Sequence, residues 1–119
     1  MSQAGGRLPT DAVRVLDKRS IDDQPWEPLR GLAGVKHKVL WRSEEMVVGI
    51  VRLEPGAQEP GHAHHDAAHH VYVLQGSARI GGRTVEAGGF VFVPAGVRHA
   101  TTDVGAEGCT LFYTYAPGH

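Results

Sequence analysis

An all-β sandwich or barrel is the fold class this sequence predicts, and three observations carry that prediction. Short runs rich in Val, Ile, Phe and Tyr recur every eight to twelve residues from His37 onward. Turn-forming residues separate the runs, and no segment sustains helical periodicity for three turns. Such a chain buries its short strands by closing a sheet or layering two, so that few edges stay exposed.

The strand candidates, in order, are Lys38 to Arg42, Met46 to Leu53, His70 to Gln75, Ala78 to Ile80, Phe90 to Val93, His99 to Thr102 and Cys109 to Tyr115. Between them, Glu54-Pro55-Gly56, Gly81-Gly82-Arg83, Ala87-Gly88-Gly89 and Pro94-Ala95-Gly96 supply the fixed or positive φ angles that turns need. Residues 1–30 are rich in Gly, Asp and Pro and read as a tail plus an arm, whose apolar patch Val13-Arg14-Val15-Leu16 can pair with a sheet edge. Residues 31–119 are expected to form the barrel domain.

A length of 119 residues fits one domain, near the small end of comfortable stability. The net charge is −1 and the 12 basic residues are scattered, which argues against a nucleic-acid partner. No apolar stretch has the length of a membrane span, and the N-terminal residues lack the apolar core of a signal peptide. The expectation is a soluble, cytoplasmic protein that does not bind membranes. A single cysteine, Cys109, excludes an intrachain disulfide and a thiolate cluster, so any metal must rely on histidine.

Histidine is where the sequence speaks most clearly. His62, His64, His65, His69 and His70 place five imidazoles in nine residues just before a strand-like run ending at Gly76. Clustered imidazoles compete for protons and repel when charged, whereas a divalent metal holds several neutral rings together. In a strand, residues two apart share a face, so His62 and His64 point at one ion while His65 falls on the other side. The same alternation admits only one of His69 and His70. His99, after the turn Pro94-Ala95-Gly96, is a further candidate from a distant part of the chain.

With these residues assembled, Gly56 to Gly76 resembles the first cupin motif, in which a glycine precedes HxH, then an acidic ligand, then a glycine. Six residues separate the third ligand from the closing glycine in that pattern, which selects His69 here, with histidine in place of the usual glutamate. The second motif, a glycine followed by PxGxxH, is matched by Gly88, Pro94, Gly96 and His99, and Asp103 stands where that motif usually ends in Asn. The resemblance spans roughly residues 35–117 and implies a small single-domain jelly-roll barrel with one metal inside its open end. The ligand set it implies is His62, His64, His69 and His99, similar to four-histidine cupins that carry manganese, iron, nickel, copper or zinc. Four neutral imidazoles leave the full +2 charge on the ion and its open positions, which favours anionic oxygen donors and lowers the pKa of bound water.

Strand alternation with His69 facing inward places Val71 and Val73 in the pocket and Tyr72 and Leu74 on the opposite face. For the last strand, either Phe112 and Thr114 or Leu111 and Tyr113 line the pocket, and Phe112 with Thr114 is the preferred pair. His37 reads as a strand-surface residue, Glu59 and Asp66 as solvated loop carboxylates, and Arg98 and Asp103 as exposed loop charges. Trp26 and Trp41 suit half-buried contacts that close the barrel or a dimer, and the family resemblance implies a homodimer formed by arm exchange. No activated hydroxyl or thiol is evident, so the metal carries the chemistry. The function expected is an oxidoreductase, dioxygenase-like or peroxide-using, acting on a small oxygenated organic molecule. Lewis-acid cyclase, isomerase or lyase chemistry at the same ions, or metal and small-molecule binding without catalysis, are the alternatives.

Overall fold

Ten elements follow one another in the computed structural model, which describes residues 12–29, 31–62 and 67–117. They are α1 (Lys18–Asp23), β1 (Glu27–Pro28), β2 (Val35–Arg42), β3 (Val47–Leu53), β4 (Glu59–His62), β5 (Ala67–Ile80), β6 (Arg83–Glu86), β7 (Phe90–Val93), β8 (His99–Thr102) and β9 (Cys109–Pro117). The strands join in the order β1-β2-β3-β9-β5-β8-β4, with β6 and β7 also paired to β5, and every pairing is antiparallel. The architecture is the all-β jelly roll that the sequence predicts. Among the described residues no helix is long and apolar enough to cross a membrane.

β5 is the strand that builds the corner. Its first half pairs with β7 and β9, its second with β6 and β8, so one 14-residue strand belongs to both layers. The sequence predicts two separate strands here, because Gly76 and Ser77 look like a break. The break is instead absorbed inside the strand. An irregularity in the pairing between Val73 and Gln75 leaves Leu74 as an extra residue, and Gly76 then adopts φ 78°. The extra residue switches the inward parity, so His69, Val71 and Val73 face in before it, and Ala78 and Ile80 after it. Three further strands, β1, β4 and β6, escape the sequence reading, since they are only two to four residues long.

The core is small and sits where the layers meet, around Val35, Leu53, Val73, Ala78, Ile80, Cys109 and Leu111. Cys109 is fully buried, and that burial raises its thiol pKa despite the opposing pull of Arg52. The native protein is therefore expected to resist labelling by a thiol reagent, and to release its single thiol only when unfolded by urea; rapid labelling without denaturant would show that β9 opens locally.

The N-terminal arm differs from expectation. Val13 and Val15 are 93% and 75% exposed and belong to no strand; the edge pairing is made by Glu27 with His37 and Pro28 with Lys36. A proline is tolerated there because an edge strand need not donate on its outer side. Upstream, the Asp17 side chain accepts from the Ser20 N–H at 2.9 Å and caps α1, which ends at Gln24 because the following Pro25 disfavours helical backbone. Lys38, only 5% exposed, locks this segment onto the outer face of β2. Its Nζ donates to the Ile21 carbonyl at 2.7 Å and lies 4.7 Å from the centre of the Trp26 ring, so a buried cation is both hydrogen-bonded and capped by a π face.

Candidate metal centre

Cross-strand pairs share a face, so the register fixes what lines the interior. Four inward rows cross β2, β3, β9 and β5. The deepest, Val35, Leu53, Cys109 and Gly76, belongs to the core; the next runs His37, Val51, Leu111 and Val73, the third Val39, Gly49, Tyr113 and Val71, and the outermost Arg42, Val47, Tyr115 and His69. Together with Glu59, Pro60, His99 and Thr101 from the facing layer, the outer three rows enclose a cavity of about 570 Å³. That volume is in the range of sites for small organic molecules. Val73 lies just beyond the cavity lining, fully buried in the core.

His69 and His99 meet in this cavity. Their ring centres are 5.7 Å apart and their planes are tilted by 59°. Two imidazoles on one ion, each with its ring centre about 3 Å from the metal and splayed at a coordination angle, have centres about 5 Å apart. His69 Nε2 is buried from solvent, and its ring packs against Tyr115 at 4.8 Å. His99 Nδ1 donates to the Val97 carbonyl at 3.2 Å. A carbonyl only accepts, so this bond places the proton on Nδ1 and leaves Nε2 as the lone-pair donor, the arrangement found in metal-bound histidines. The donor chemistry therefore fits a divalent transition metal.

The backbone of His62 pairs with His99 across β4 and β8, which brings the first residue of the HxH motif beside the β8 histidine. The His62 side chain, His64, His65 and Asp66 lie outside the described residues. Among the described residues no three metal-ligating side chains converge; His69 and His99 are in ring contact, and His37 and Glu59 line other parts of the cavity. His70 points the other way, exposed on the outer face, with Nδ1 2.9 Å from Thr114 Oγ1 and its ring between Phe90 and Phe92.

Three expectations need correction. Phe112 and Thr114 do not line the cavity: they pair with Tyr72 and His70 on the outer face, and Leu111, Tyr113 and Tyr115 face inward. The sequence of β9 alternates on both faces, and only its register with β5 chooses between them. His37 is no surface residue, because β2 begins at Val35 and His37 pairs with the inward Val51. Glu59 is not a free loop carboxylate, because β4 turns it into the cavity.

The sequence reading also passes over Arg42, and it ranks Tyr113 with Leu111 as the less preferred of the two β9 pairs. Arg42 enters the cavity because an irregularity between Val39 and Trp41 leaves Leu40 unpaired and reverses the alternation of β2. Tyr113 is admitted by Gly49: a Cβ there would lie 2.7 Å from the Tyr113 hydroxyl and 2.6 Å from the Lys38 carbonyl. Partial burial pushes the Tyr113 phenol above its ordinary pKa, with Arg42 pulling it down and Glu59 pushing it up, so it is a protonated donor at neutral pH.

Residues 18–118 match the family model of the ChrR cupin-like domain. No curated protein matches the chain. Among solved structures, an RmlC-like cupin from Shewanella frigidimarina is 26% identical, with 82% of this chain and 87% of that one covered and a TM-score of 0.70. The polyketide cyclase RemF from Streptomyces resistomycificus is 24% identical over 86% of this chain and 80% of its own, with a TM-score of 0.74. A predicted oxalate decarboxylase from Thermotoga maritima is 20% identical over 82% and 96%, with a TM-score of 0.72. The jelly roll, the meeting of the motif residues His69 and His99 at its cavity and a family match across nearly the whole chain lead to one conclusion: this chain belongs to the cupin superfamily, in the family of ChrR cupin-like domains.

Proposed function

We propose that this cupin is a metal-dependent oxidoreductase, dioxygenase-like or peroxide-using, that acts on a small oxygenated organic molecule. The metal is held by His62, His64, His69 and His99. The observation that carries the reading is the convergence of His69 and His99 at one end of the 570 Å³ cavity, with the His99 tautomer fixed for ligation by the Val97 carbonyl. When bound, the metal supplies Lewis acidity, and in the case of iron, manganese, copper or nickel also redox chemistry. Tyr115 packs against the His69 ring and holds its tilt. Val51, Val71, Val93 and Leu111 exclude water from the ligand's apolar part, and Tyr113 offers a phenolic proton from the wall.

That phenol favours a second reading. A half-buried tyrosine that stays protonated beside the cavity is a built-in hydrogen-bond donor to a substrate oxygen, which serves cyclisation, isomerisation or lyase chemistry without an oxidant.

Elemental analysis of protein purified without a histidine tag, paired with an oxygen-uptake screen over diketones, flavonols, catechols and thiols, tests both. Near one equivalent of iron, manganese, copper or nickel with oxygen consumed supports the oxidoreductase. Stoichiometric zinc without uptake selects the Lewis-acid reading, and metal-free protein overturns the centre.

A further inference from the structure

We propose that Arg42 makes the cavity selective for small apolar monocarboxylic acids, binding the carboxylate at the rim while the apolar body lies over the Tyr113 wall. The inference rests on the cavity being the substrate site. Arg42 reaches it by a local irregularity: with unbroken alternation from His37 and Val39, the next inward residue of β2 is Trp41, and the unpaired Leu40 puts Arg42 there instead.

The charge is available. Among the described residues Arg42 makes no ion pair, in contrast to Arg52, which is engaged by Glu54. A guanidinium recognises a carboxylate through two parallel N–H···O bonds, a fork that an ammonium lacks. Arg42 also shares the outermost row with Tyr115 and His69. Three strand spacings separate Arg42 from His69, about 14 Å along the sheet, so an acid held at Arg42 extends toward the histidines over an aliphatic surface. That surface is Val47, Val51, Val71 and Leu111 with the Tyr113 ring, which accepts a hydrocarbon body, while the polar side chains His37 and Thr101 line other parts of the same cavity. Glu59 on the facing wall repels a second negative charge and selects against dicarboxylates.

Calorimetric titration of the purified protein with benzoate, benzamide and benzylamine tests the assignment, with metal content measured in each sample. Benzoate is expected to bind at least about tenfold more tightly than benzamide, the margin of a charge-assisted pair at a partly wet rim. Arg42→Gln is expected to weaken benzoate by a similar factor with metal content unchanged, and Arg42→Lys to restore part of the loss. Equal benzoate affinity in the wild type and Arg42→Gln, no benzoate binding to the wild type, or a preference for benzylamine would each overturn it. Failure of the metal centre reads out separately, as metal-free wild-type protein, and leaves the comparison at Arg42 intact.

Discussion

Replacing His99 by alanine is expected to strip the protein of most of its metal while the barrel still folds. The ring of His99 faces His69 at the cavity, and its loss removes one of the four proposed ligands. Losing a mere outer hydrogen-bond partner of a metal histidine costs roughly 10–100-fold in affinity, so a ligand should cost more. His62→Ala is expected to behave in the same way. His69→Ala should weaken metal binding far more than His70→Ala, because His69 lines the cavity and His70 bonds Thr114 on the outer face. His65→Ala should change little. The check is metal content per chain after dialysis against a weak chelator, with circular dichroism to verify folding. Full occupancy in His99→Ala would rule out the proposed centre, and a greater loss in His70→Ala than in His69→Ala would mean that β5 is out of register by one residue.

Gly76→Ala is expected to be the most damaging single-methyl change in the fold. A Cβ at Gly76 would lie only 1.9 Å from the Gly108 carbonyl oxygen, and the backbone there has φ 78°. Both partners are main chain, so no side chain can swing aside. Strain of this kind costs on the order of 3 kcal/mol or more, a large part of the roughly 5–15 kcal/mol that holds a domain together. Gly82→Ala is the control: its φ is 90°, but a Cβ there meets nothing within 4 Å, so only the conformational cost of about 1 kcal/mol remains. Urea unfolding midpoints should separate the two clearly. Similar midpoints would mean that β5 and the Gly108 turn are not in close contact.

Much of this protein is legible in its sequence for reasons that are local. Alternating β-rich runs between glycine and proline turns set the all-β class, since backbone preference and turn chemistry act over a few residues. The glycine and histidine spacings that resemble cupin motifs are local as well. So is the inward face of His69, Val71 and Val73, which follows from alternation within one unbroken stretch. Alternation fails where a strand gains a residue: at Leu40 and Leu74 the parity reverses, and no composition signal marks either leucine.

By itself the sequence determined the class of fold and singled out His69 and His99, two histidines thirty residues apart that the tertiary structure brings together at the cavity. Only the tertiary structure decided which face of β9 looks inward, that His37, Arg42 and Glu59 join the cavity, and that Glu27 and Pro28 rather than Val13 extend the sheet edge. The physical reason is that cross-strand register is set by contacts between residues far apart in the chain. His69 faces Tyr115, and Arg42 faces Val47 only after an extra residue, so the pattern of one strand cannot reveal which of its faces its neighbours will bury.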